Sequence, residues 1–153
     1  MDESRNIYYN ARKTAGFTQE RWAQMLGVST QAVQQYEADI NLPSEDIVQR
    51  MGEIAMLPPL VYWHLRHKSE IAAQELPPVE RLPLAQAVCQ LLARINDFQQ
   101  RHRDLLQIAA DGRVDELEKP VYTLALEELN AVVQAAIQLK FAEGGETDGK
   151  AVR

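Results

Sequence analysis

At 153 residues and 46% apolar content, the chain has material for one ordinary domain or two small ones, and no apolar run approaches a membrane span. A net charge of −6 argues against a protein that coats nucleic acid by charge alone. The lone Cys89 excludes an internal disulfide or a cysteine-rich metal site, and the start MDESRN lacks the basic and then apolar stretches of a secretory signal, so a cytoplasmic location is expected.

A first helix is expected from about Asn6 to Ala15, with Ile7 and Ala11 facing inward and Gly16 ending it. Phe17 follows as a core anchor. The segment Thr18–Tyr36, TQERWAQMLGVSTQAVQQY, is the most informative stretch. Thr18 is placed to cap a short helix to Leu26, Gly27 to break it, and Ser29 to cap a second helix. Ala23, Gly27 and Val33 supply the small contact, sharp turn and buried wedge that two crossed helices require. Two short helices joined by a Gly-containing turn form the helix-turn-helix that reads the DNA major groove with its second helix.

Ala38–Leu42 reads as a loop, and Pro43-Ser44-Glu45-Asp46 as the start of a fourth helix running to about Leu57. Pro58-Pro59 breaks it and opens a fifth, Leu60–His67, with Val61, Tyr62 and Leu65 as its apolar contacts. Residues 1–68 thus make one compact five-helix domain. They carry seven Lys/Arg against eight Asp/Glu, so the acidity sits mainly in the rest of the chain.

Residues 69–82, with Pro77-Pro78 among charges, suit a semi-rigid linker. From Pro83 the positions Leu84, Val88, Leu91, Ile95, Phe98, His102, Leu105 and Ala109 follow a heptad seam on one long helix. The turn at Ala110–Arg113 ends it, and a second long helix is expected from Pro120 to Phe141. These form an antiparallel hairpin over 83–142. Leu92, Leu106, Leu124, Val132 and Leu139 lie off the main seam and still need cover. A second copy of the hairpin, giving a four-helix dimer, supplies it most economically; folding back on the first domain is the alternative. The tail 143–153 is Gly-rich, charged and expected to be disordered. The fold class expected is all-α.

Across Ala11 to Ser44, ARKTAGFTQERWAQMLGVSTQAVQQYEADINLPS resembles the phage-repressor and Cro-like, or Xre-type, helix-turn-helix family of DNA-binding transcriptional regulators. The resemblance extends over roughly residues 5–67. It implies that Thr18 and Gln19, opening the first helix of the motif, lie at a phosphate. It also implies that Thr30, Gln31, Gln34 and Gln35 face bases, and that Arg12 pairs with Glu37. Asn41 falls in the loop past which phosphates run. A glutamine can bond the N6 and N7 of adenine together, each good pair being worth roughly 1–3 kcal/mol of discrimination. Two departures stand out. The loop Ala38-Asp39-Ile40-Asn41 is acidic where many members are basic or carry Gly, although Asp tolerates the left-handed conformation. The recognition helix also lacks Lys and Arg, leaving Arg5, Arg12, Lys13 and Arg21 as the nearest cations.

Other features read more simply as structure. His64 and His67, three apart, fit a solvated helix face better than a metal site. His102 is a polar register-setter in the seam and Cys89 a small buried residue beside it. Asp111–Glu118 lacks the first half of a calcium loop and fits a turn in which Asp115 caps and Glu118 reaches back. No nucleophile–base pair or phosphate loop points to an enzyme, and no cofactor is implied. The sequence is therefore expected to belong to a dimeric repressor at a two-fold symmetric operator. The alternatives are a protein-interaction module or an antitoxin that keeps the fold with weak or no DNA binding, using the hairpin for a protein partner.

Overall fold

The structure, a computed structural model, describes residues 6–144. Arg5 and residues 145–153 of the expected disordered tail lie outside the described residues. The fold is all-α, as expected. The helices are α1 (Ile7–Thr14), α2 (Gln19–Leu26), α3 (Thr30–Glu37), α4 (Glu45–Ile54), α5 (Leu60–Lys68), α6 (Glu70–Glu75), α7 (Leu84–Gln99), α8 (His102–Ile108) and α9 (Lys119–Lys140). They divide between two compact units, 1–76 and 77–153.

In the first unit, local chemistry sets the helix ends. Asn6, Thr18 and Ser29 each accept a bond from a backbone N–H three residues on, capping α1, α2 and α3; such a cap contributes about 1 kcal/mol. The turn of the helix-turn-helix is a paired C-terminal motif, in which Gly27 N–H bonds the Gln24 carbonyl and Val28 N–H that of Ala23. Gly27 sits at φ 72°, where a Cβ is penalised. The same pattern ends α3, with Asp39 in the left-handed position at φ 54°. It also ends α4 at Met56, φ 51°. That turn stops α4 at Ile54, earlier than the Leu57 expected.

Tyr8, Ala11, Trp22, Ala23, Leu26, Val33, Val48, Met51 and Leu60 form the buried core, with Phe17 stacked on Trp22 at 5.6 Å. The inward face of α5 is one residue out of phase with expectation. Leu60 and His64 are buried and Trp63 packs on the core, whereas Val61 and Leu65 face solvent. The solvated face expected for both histidines is therefore corrected for His64. The segment expected as a linker, 69–82, contains α6, capped by Ser69 and held by Arg66, whose guanidinium donates to the Ala73 and Leu76 carbonyls.

In the second unit α7 and α9 pack antiparallel. Leu84 N–H bonds the Glu143 carbonyl and Glu143 N–H the Leu82 carbonyl at one end, while Arg101 reaches Glu128 toward the other. Glu143, expected in the tail, is thus part of the hairpin's closure. The long first helix is interrupted at Gln100-Arg101, so α8 is a separate element. The expected seam is also shifted: Leu84 and Val88 are exposed, and the buried residue of α7 is Ala87. Cys89, expected to be buried, is exposed. Asp115 accepts from Leu117 and Glu118 N–H, and Glu118 accepts from Asp115 N–H, closing the turn before α9.

Candidate nucleic-acid interface

The interface candidates sit on α2, α3 and the loop after α3, all in the first unit. Beneath them lies a buried ion pair. Arg12 Nε donates to Glu37 Oε1 at 2.5 Å and Nη2 to Oε2 at 2.9 Å, while Nη1 donates to the Phe17 carbonyl at 2.7 Å. The side chains are only 7% and 6% exposed. For Arg12, where a structural pair with Glu37 and a DNA contact are equally expected, the structure shows the pair. Its guanidinium fastens the end of α1 to the end of α3. Removing one member of such a pair strands a buried charge, at about 3–5 kcal/mol.

From this pair a chain of bonds runs to the surface. Glu37 Oε2 also accepts from Gln19 Nε2 at 2.8 Å, and Gln19 Oε1 accepts from Gln34 Nε2 at 3.4 Å. Gln19 and Gln34 are thus oriented by the interior, and Gln34 leans toward α2. Thr30 and Gln31 open α3; Gln31 is exposed and makes no internal hydrogen bond among the described residues. Gln35 accepts from Asn41 Nδ2 at 2.8 Å, which ties the reading helix to its following loop. Thr18 Oγ1 accepts from Arg21 N–H at 3.2 Å and the Thr18 carbonyl from Trp22 N–H, which closes the first turn of α2. Hydrogen bonds thus join Gln34 of α3 to Gln19 of α2, and Asn41 of the following loop to Gln35 of α3.

The acidic loop is tied back to the rest of the first unit. Asp39 Oδ1 accepts from Asn6 Nδ2 at 2.9 Å and meets His67 Nε2 at 2.8 Å. The carboxylate is held between the Asn6 amide, which caps α1, and His67 of α5, and its side chain stays 48% exposed. Neither partner was legible from spacing, since they come from 33 residues before and 28 after. A different anion stands at the start of α2. Glu20 accepts from its own backbone amide and from the Thr18 hydroxyl, which holds its carboxyl below the ordinary value. Exposed cations nearby are Lys13 and Arg21, the latter bonding Gln24 Oε1 at 2.6 Å. Arg50 is committed to the Leu26 carbonyl and Lys68 to Glu45.

The two histidines of α5 are engaged within the first unit. His64 Nδ1 meets the Tyr8 hydroxyl at 2.7 Å, and His67 is engaged with Asp39. Among the described residues no group of three metal-ligating side chains gathers, and no helix is long and apolar enough to cross a membrane.

Comparison with known families agrees with the geometry. The helix-turn-helix family model matches residues 9–54, which span α1 to the end of α4. No curated protein and no solved structure matches the chain. The first unit therefore carries a domain of the Xre/Cro/lambda-repressor-like helix-turn-helix family, a family of DNA-binding transcription regulators.

Proposed function

We propose that the protein is a sequence-specific repressor that binds a two-fold symmetric operator as a dimer, in the cytoplasm, and acts by occluding a promoter. The observation that carries the reading is the outer face of α3, where Thr30 and an unengaged Gln31 lead and Gln35 follows one turn on. Amides in that row make poor core and suit base edges. Thr18 and Gln19 hold the flanking phosphate at the start of α2, with Lys13 and Arg21 supplying charge.

The hairpin joins two copies. One side of the α7–α9 pair is a groove lined by Gln90, Arg94, Gln134 and Gln138 together with Ala93, Ala131 and Ala135. At 100° per residue the opposite side carries Val88, Leu92 and Ile95 with Leu129, Val132 and Val133. Leu92 is 61% exposed and Val133 43%. A second hairpin covers that side, and linking two half-sites offsets the small supply of cations per domain.

A pool of random duplex DNA, selected at low salt, tests the function. A two-fold symmetric motif is the expected product, and Gln31→Ala should flatten one column of it at a cost of about 1–3 kcal/mol. Recovery of no motif sinks the reading. The rival, a protein-interaction module or antitoxin, draws support from Glu20 at the start of α2 and from the few exposed cations.

A further inference from the structure

We propose that the groove bounded by segment 77–83, α7 and α9 binds a small zwitterion, a free amino acid or a dipeptide. The inference goes beyond the DNA-reading function and does not rest on it, since every residue it uses belongs to the second unit.

The groove has a volume of about 530 Å³. Its outer wall is anchored: Val79 and Leu82 of segment 77–83 are 6% and 9% exposed, and the Leu82 carbonyl accepts from Glu143 N–H at 2.8 Å. Gln134 Nε2 donates to the Pro78 carbonyl at 2.8 Å and so ties the segment to α9. A carbonyl only accepts, so the amide nitrogen of Gln134 must face the segment, and its Oε1 is left as a spare acceptor. One turn along α9, Gln138 also lines the groove. It is only 9% exposed, yet its side-chain amide makes no hydrogen bond among the described residues. Buried amides are ordinarily paired, so this one marks a place for a bound polar group.

Two opposite charges line the same groove without meeting. Glu80 stands on segment 77–83 and Arg94 on α7. Glu80 makes no ion pair among the described residues, and Arg94 reaches only Asp97, at 3.7 Å between side chains 56% and 49% exposed. A molecule that seats here takes water from both charges. An anion alone would leave Glu80 desolvated and opposed, a cation alone would do the same to Arg94, and an apolar molecule would strand both. A molecule with a carboxylate and an ammonium group satisfies both. Its carboxylate meets the Arg94 guanidinium, its ammonium meets Glu80 and Gln134 Oε1, and the Gln138 amide pairs with a polar group between them.

The test is calorimetric titration of the full chain, with the free protein amino acids in one arm and glycyl and alanyl dipeptides in the other. At least one of these zwitterions should bind with a Kd below about 1 mM, and the arm in which it is found names the source. Acetylating its amine, or amidating its carboxylate, should each weaken binding by about tenfold or more, the loss of one charge-assisted bond. Substitutions should divide the same way. Glu80→Gln should lose affinity for the parent molecule but not for its acetylated form, and Arg94→Gln for the parent but not for its amidated form. Both side chains are exposed, so the fold should survive, and thermal melts check that. No binding in either arm at about 10 mM overturns the proposal. So does binding that neither blocking nor substitution changes, which is adventitious contact only. Loss on amidation without loss on acetylation reduces the groove to a plain anion site and overturns the zwitterion.

Discussion

The two units use apolar side chains in opposite ways. The first buries its largest: Trp22, Tyr8, Leu26, Met51 and Leu60 are all below 2% exposed. The second buries smaller side chains, Ala87, Ala125, Ala135 and Ala142 with Val79, Leu82 and Ile108, while Leu92, Leu106 and Leu117 stand 61%, 61% and 88% exposed; the first also leaves Ile40, Met56 and Ile71 largely exposed, but off its core. Since burial of a Leu or Val is worth roughly 1.5–3 kcal/mol, the second unit forgoes what the first collects. A domain that has filled its interior is complete as a monomer. A hairpin with Leu92 and Leu106 outside supports the proposed pairing with a second copy.

Substitutions should separate the units along this line. Trp22→Ala, in the filled core, is expected to destabilise the first unit by about 3–5 kcal/mol, lowering its melting transition without changing the oligomeric state. Paired Leu92→Glu and Leu129→Glu substitutions should do the reverse. Both positions already meet water, so folding of the hairpin survives, but charge on the shared face splits the dimer and weakens operator binding by one to several orders of magnitude. Melting curves and gel shifts on the two variants read the contrast. A hairpin that unfolds with the double substitution, or a dimer unaffected by it, breaks the comparison.

The next effect lies within the first unit. Glu37→Ala strands the Arg12 guanidinium and releases Gln19, and is expected to cost about 3–5 kcal/mol of stability by chemical denaturation. A loss within 1 kcal/mol, the range of exposed pairs, would place the Arg12–Glu37 pair in solvent and undo its internal assignment.

Smallest is a pH effect that only the filled core should show. Burial lowers the pKa of His64, which meets the Tyr8 hydroxyl through Nδ1. The unfolded chain takes up this proton near pH 6.5 and the folded one resists it. The associated stability is thus fully present above about pH 6.5 and declines as pH falls below it, by at most about 1.4 kcal/mol per pH unit. His64→Phe should flatten that slope relative to wild type in denaturation series from pH 7.5 to 5. An unchanged slope would mean that His64 is protonated in the fold.

Much of this division was legible in the sequence because the first unit is built from local signals. Thr18, Gly27 and Ser29 specify caps and a turn within a few residues, and the spacing of Ala23 and Val33 follows from one helix crossing. The pairing of Arg12 with Glu37 was expected from family resemblance, but its burial was not, since exposure depends on what α1 and α3 close over. What failed had no local signature. Ser69 and Arg66 build α6 inside a segment whose prolines resemble a linker, and Arg66 acts through carbonyls that carry no sequence identity. The phase of α5 was misread because Val61 and Leu65 are apolar and His64 is not, yet Tyr8 gives the histidine a buried partner. The heptad through Leu84 and Val88 is real as a pattern. Packing of α7 around Ala87 leaves its first two members, Leu84 and Val88, exposed, while Leu91, Ile95, Phe98 and Leu105 stay half-buried.

The central claim, that the first unit reads DNA alone while the hairpin holds two copies together, is tested most directly by light scattering. Three samples suffice: the full chain, the full chain with Leu92→Glu and Leu129→Glu, and residues 1–76. The full chain should have the mass of a dimer, and the other two should be folded monomers. A dimer of residues 1–76, or a full-length monomer, would contradict the account.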